Sequence, residues 1–212
     1  MSSKGDFGQI LSACARFAGD YPGIVFIGGV AVYMQAVNSN MFEGTPGTSH
    51  DADFVMPLSE LAQLSDQYRV VSNKRLRKHE VVVDGIEFDV YVEHNNKLAV
   101  PYDEIFAHAV DFDGMKIACL EHLLVLKLDA LQERKGSDKG DKDERDLLTI
   151  AAVAGGEIRS DIVAPYLRDD HLELLSDMKK SQAFVDVAGG NLHAARKLRK
   201  IWDALAAKIS RS

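Results

Sequence analysis

Asp51 and Asp53 stand two residues apart at the head of an apolar run, Phe54-Val55-Met56. Residues two apart on a strand share one face, so both carboxylates project the same way. Like charges held that close repel, and a divalent cation removes the repulsion. Hard cations such as Mg²⁺ take carboxylate oxygens and keep substrate phosphates among their ligands. A solvated strand start is the plainer reading of a DxD by itself. A third acid adds to the pair. Residues 81–92 read as a hairpin turned by Asp84-Gly85, a strong short-range turn signal between apolar runs. In its second strand Ile86, Phe88, Val90 and Val92 share one face, and Glu87, Asp89 and Tyr91 share the other. Asp89 thus falls mid-strand, on a face that is either open to water or built for a ligand. Gly28-Gly29 follows the apolar run at residues 24–27 and precedes a helical pattern, Val30, Ala31, Val32, Met34 and Val37. Glycine lets backbone approach a phosphate, and the free N–H groups of a helix N-terminus favour an anion.

Later in the chain Lys127 interrupts the run Leu123-Leu124-Val125-Leu126 and is followed by Leu128-Asp129-Ala130. It lies either on the wet face of a helix or in a functional position. Beyond Arg134 comes Lys142-Asp143-Glu144-Arg145-Asp146-Leu147. Asp143 and Asp146 are three apart and share a helix face. Asp143 near a helix start also suits capping.

The order strand, GG, helix, DxD, later strand Asp resembles the nucleotidyltransferase superfamily with the DNA polymerase β-like fold. The interval between Gly29 and Asp51 is longer than in the minimal members and is similar to AbiEii-type, toxin-like members. Lys127-x-x-Ala130 with Lys142-Asp143-x-x-Asp146-Leu147 looks like a signature in the helical half of that group. Many relatives carry Arg-x-Thr before the DxD, where this chain has Thr48-Ser49-His50. The resemblance covers roughly residues 24–150. It implies an α+β fold: a mixed sheet with flanking helices, then a C-terminal helical bundle. It implies transfer of a nucleoside monophosphate from an NTP, such as ATP, by two Mg²⁺ or Mn²⁺ ions held by Asp51, Asp53 and Asp89. Gly28, Gly29 and Lys127 would hold the triphosphate, and Asp146 would support Lys127 or the acceptor. The acceptor would be tRNA, a protein hydroxyl or a small molecule, and a toxin-type enzyme would have an antitoxin protein as partner. The alternative is a catalytically degenerate member that binds a nucleotide or a partner.

The elements that must position these residues run as follows. Helical periodicity predicts a helix over residues 5–19 through Phe7, Ile10, Leu11, Cys14 and Phe17. A strand at 24–27 and a helix at 30–37 come next, then a polar loop at 38–49 and a strand at 51–56. Ser59 is expected to cap a helix reaching Gln67. Extended segments follow at 68–72 and 78–83, the third-carboxylate strand ends near Glu93, and residues 103–108 form a short helix. Asp113-Gly114 marks another hairpin turn before a strand at 115–119. From Leu120 the pattern is helical, with the stripe Leu120, Leu123, Leu124, Leu128, Leu131. A charged loop at 134–141 precedes a helix from about Asp141 to Gly155-Gly156. Ser160 or Asp161 is expected to cap the next helix, with others near 170–180 and 190–209. The expected division is residues 1–115 and 116–212.

The 212 residues are 46% hydrophobic and 27% charged, ordinary values for a globular chain with enough core to fold unaided. No apolar run has the length of a membrane span. The start, MSSKGDFGQIL, lacks a signal peptide's apolar region, so a cytoplasmic protein without membrane contact is expected. Net charge is −7, unlike the basic balance of a dedicated nucleic-acid binder. The runs Lys74-Arg75-Leu76-Arg77-Lys78-His79 and Arg196-Lys197-Leu198-Arg199-Lys200 read as solvated faces. Cys14 and Cys119 read as buried free thiols rather than metal ligands.

Overall fold

A computed structural model describes residues 7–40, 42, 44 and 46–211. The expected helix start at residue 5, and Met41, Glu43 and Thr45 of the expected polar loop, lie outside the described residues. The chain forms two compact units, one of Met1–Ala31 with Thr48–Cys119, the other of Val32–Gly47 with Leu120–Ser212.

The first unit is built on a seven-stranded mixed sheet in the order β3-β4-β5-β2-β1-β7-β6. Its elements are α1 (Phe7–Asp20), β1 (Val25–Ile27), the start of α2 (Gly28–Val37), β2 (Asp51–Met56), α3 (Leu58–Gln67), β3 (Val70–Asn73), β4 (Lys78–Val83), β5 (Ile86–Val92), α4 (Tyr102–Ala107), β6 (Val110–Phe112) and β7 (Met115–Ile117). Strands β2 and β5 run parallel, as do β1 and β7, and the other neighbours are antiparallel. Period-two alternation divides the central strands. Phe54, Phe88 and Val90 are fully buried. Phe17 of α1 stacks on Phe88 with ring centroids 4.6 Å apart and meets Phe54 at 5.8 Å. Burial of such rings from water is the dominant stabilising term here. It commits one sheet face to α1 and leaves residues of the other parity, Asp51, Asp53 and Asp89, less buried.

Both Asp-Gly hairpin turns use the left-handed backbone that a two-residue type I′ loop demands. Asp84 and Gly85 have φ of 53° and 80°, and Asp113 and Gly114 have φ of 51° and 84°. The second turn joins β6 to β7, so residues 110–112 form a strand that periodicity alone did not mark. Ser59 does not cap α3: Pro57 holds the N-cap position without a side-chain bond, because the helix begins one residue before Ser59.

The second unit is helical: α5 (Leu120–Arg134), α6 (Asp138–Ala154), α7 (Ser160–Val163), α8 (Asp169–Asp177), α9 (Ala183–Val187) and α10 (Leu192–Ile209), with 3₁₀ turns at Ala164–Tyr166 and Met178–Lys180. The expected helix start at Asp141 moves to Asp138, since the Ser137 hydroxyl accepts the Gly140 N–H and caps α6. Gly155, left-handed at φ 60°, ends it. Arg159 precedes α7 with no side-chain cap, so neither Ser160 nor Asp161 takes that part. Helix α9 has five residues, too short for periodicity to reveal. Trp202 of α10 is fully buried and donates its indole N–H to the Leu175 carbonyl at 3.0 Å. No described helix is long and apolar enough to cross a membrane.

Candidate active site

Strand register sets Asp51, Asp53 and Asp89 on adjacent strands. Asp53 of β2 is the direct partner of Asp89 of β5, and Asp51 is the partner of Glu87. Directly paired residues share a face, so Asp51, Asp53, Glu87 and Asp89 project from the same side of two adjacent strands. On the other flank Ile27 pairs with Asp53, and the chain leaves β1 there to begin α2 at Gly28. Glycine is required at that point for two reasons. Its φ is +67°, and a Cβ would stand 2.2 Å from Asp53 Oδ2. The first N–H groups of α2 thus start beside the acids, and such groups have no intrahelical acceptor. Ser49 Oγ donates to Asp51 Oδ1 at 2.8 Å and orients that carboxylate.

Lys78 also belongs to this face. Its ammonium donates to Asp89 Oδ2 and lies 3.6 Å from Glu80 Oε1. The Lys78 side chain is 13% exposed and that of Asp89 21%. The basic run at 74–79 is therefore not wholly a solvated face. A signal for this was present. A two-residue turn at Asp84-Gly85 sets Glu80 opposite Asp89, and Lys78 shares the parity of Glu80. Cys14 is buried as expected. Burial, reinforced by the charge of Asp53, pushes its thiol up to about 12, which keeps it protonated and unreactive.

The helical unit contains a second group of charges. Lys127 of α5 is 7% exposed, with Asp143 and Asp146 of α6 at 2% and 3%. Its ammonium lies 3.0 Å from Asp143 Oδ1 and 2.6 Å from Asp146 Oδ2. Arg134 reaches Asp143 Oδ2 at 2.8 Å. Lys127 thus does not face water. Burial alone would lower its pKa, but the charges of Asp146 and Asp143 outweigh this and raise it. Asp143 is consumed by these ion pairs rather than by capping. Glu121 of α5 accepts Arg159 Nε at 3.0 Å and the Arg159 backbone N–H at 3.1 Å. Burial favours its neutral form, yet the Arg159 hydrogen bonds prevail and hold the carboxyl down at about 2.

No protein-family model matches the chain. No curated protein matches it by sequence. Solved structures do match in fold. JHP933 from Helicobacter pylori superposes with a TM-score of 0.52 at 14% identity, over 97% of this chain and 92% of that one. An antigenic nucleotidyltransferase-like protein from Paracoccidioides brasiliensis superposes with a TM-score of 0.51 at 15% identity, over 93% and 94%. The fold is therefore α+β and nucleotidyltransferase-like, a mixed sheet with flanking helices and a C-terminal helical region.

Proposed function

We propose that this chain transfers a nucleoside monophosphate from an NTP to an acceptor hydroxyl, with pyrophosphate as leaving group. The observation that carries the reading is the register pairing of Asp53 with Asp89, flanked by Asp51 and by the Gly28 turn. The likeness in fold to a nucleotidyltransferase-like protein supports it.

The donor chemistry fits a hard divalent cation, and the three carboxylates, whose oxygens do not gather within 4.8 Å of one another as they stand, would close on it by side-chain rotation. Three carboxylates project from adjacent strands, and a cation, the Lys78 ammonium, already sits on one of them. Asp51, Asp53 and Asp89 would hold Mg²⁺ or Mn²⁺. Such ions, when bound, would stabilise the attacking and leaving oxygens of an in-line displacement. Ser49 keeps Asp51 oriented, and the missing Cβ of Gly28 makes room for the Asp53 carboxylate itself. The first N–H groups of α2, from Gly28 and Gly29, would face a bound phosphate as helix N-termini do. On the resemblance, Asp89 would serve the acceptor side and could take the proton of the attacking hydroxyl. For Lys127, triphosphate contact is carried by the resemblance alone, as is nucleotide binding through Asp146 by way of Lys127, whose ammonium both aspartates hold. Acceptor class and any antitoxin partner follow from the same resemblance, as does a toxin role.

The test is incubation with each α-labelled NTP, Mg²⁺ and a cell extract as acceptor source, with Asp53→Asn in parallel. Label incorporated by the wild type and lost in the variant is expected. Wild type that neither incorporates label nor binds a non-hydrolysable NTP analogue in a Mg²⁺-dependent way overturns the reading.

A further inference from the structure

We infer that Lys78 is a tethered cation that neutralises Asp89 until a divalent cation displaces it, and so sets how tightly the carboxylate face takes metal. The inference rests on the reading of Asp51, Asp53 and Asp89 as a metal-holding set. It adds a residue outside the GG, DxD and third-Asp pattern. Lys78 opens β4, which is paired on both sides, with β3 through Asn73↔Lys78 and with β5 through Glu80↔Asp89. Its backbone is therefore anchored, and its ammonium reaches Asp89 Oδ2 from within the sheet face.

Two neighbours direct the ammonium there. Glu80 is partly engaged already: Asn73 Nδ2 donates to Glu80 Oε1 at 3.0 Å, and that bond, ahead of Lys78's charge, lowers its pKa. On the other side Lys78 borders an open pocket of about 220 Å³ shared with Lys74, Arg77 and His79. Like charge on Lys74 and Arg77 repels the ammonium from that pocket, while its volume gives the side chain somewhere to go once displaced. A tethered partner competes at high effective concentration. A metal ion must therefore replace Lys78 at Asp89, and metal without nucleotide binds weakly.

The experiment measures Mn²⁺ binding without nucleotide, by water-proton relaxation, on wild type, Lys78→Met, Lys78→Gln, Lys78→Arg, Asp53→Asn and the double variant Lys78→Met with Asp53→Asn. Removing the tethered charge should tighten Mn²⁺ binding roughly tenfold in both neutral variants, the scale on which a neighbouring charge shifts ionic equilibria. Lys78→Arg should remain near wild type, because charge is kept. The double variant should lose the gain. A merely structural ion pair would change the melting temperature and leave the Mn²⁺ affinity unmoved. Equal affinity in wild type and both neutral variants, with Asp53→Asn still abolishing binding, overturns the role of Lys78 and spares the metal site. Mn²⁺ binding that is absent throughout, or indifferent to Asp53→Asn, overturns both.

Discussion

Both units of the chain set carboxylates against a lysine, and their surroundings separate the two arrangements. In the sheet unit Asp51, Asp53 and Asp89 lie on a face only partly covered, with Lys78 on one of the three. In the helical unit Asp143 and Asp146 are almost wholly buried and share Lys127 and Arg134 between them. Withdrawing charges from water is expensive unless they are paired. The helical group therefore has matched charges, two acids to two bases. The sheet group holds Asp51, Asp53 and Asp89 on a half-covered face, where water or a bound cation can reach them. A half-covered acidic face is what the proposed metal site requires, and a matched buried group braces α5 against α6.

If the contrast holds, substitutions in the two groups should separate activity from stability. The largest effect belongs to Asp53→Asn, which should reduce transfer about a thousandfold, the scale of losing one group that stabilises developing charge. Its thermal unfolding curve should overlay the wild type, and turnover of the variant at the wild-type rate would dissolve the contrast. Lys127→Met should do the reverse. It leaves Asp143 and Asp146 buried with one shared cation fewer, at a cost of about 3–5 kcal/mol. Denaturant unfolding reads this directly; an unchanged midpoint would remove Lys127 from the brace and favour the triphosphate contact that the resemblance implies.

Gly28→Ala probes the border of the sheet group. A left-handed backbone costs an ordinary residue about 1–2 kcal/mol, and the added Cβ would displace Asp53 Oδ2. Modest destabilisation with a larger loss of Mn²⁺ affinity is expected, and loss of stability alone would detach Gly28 from the site. The smallest effect is that of Arg159→Ala in the helical unit. The Glu121 carboxyl, at about 2 against an ordinary 4.5, contributes stability present above pH 4.5 and lost as pH falls toward 2. Without Arg159 the carboxyl protonates at higher pH, so acid unfolding followed by circular dichroism should begin earlier. A superimposable acid transition would show that Glu121 gains nothing from its partner.

Strands β2, β4 and β5 were legible because alternation and the Asp84-Gly85 turn are local signals, and the expected segments 51–56 and 78–83 match the strands. Helix starts were less legible. The Ser137 cap lies inside a charged run whose composition reads as loop, so α6 was expected three residues late. Strand β6 and helix α9 are too short for any period to show.

For the site, the sequence by itself determined which acids share a face, because parity along a strand follows from backbone geometry alone. It also placed Gly28-Gly29 at the strand–helix turn, and the φ of +67° and the close approach of Asp53 then showed why glycine is needed there. Tertiary structure decided the rest. Only the parallel pairing of β2 with β5 makes Asp53 and Asp89 direct partners, since that pairing joins strands separated by α3, β3 and β4. Only packing of α5 on α6 turned Lys127 from a residue with two readings into a buried ion pair. Residue type and parity act within one element; the partner of a charge depends on which distant element the hydrophobic core brings beside it.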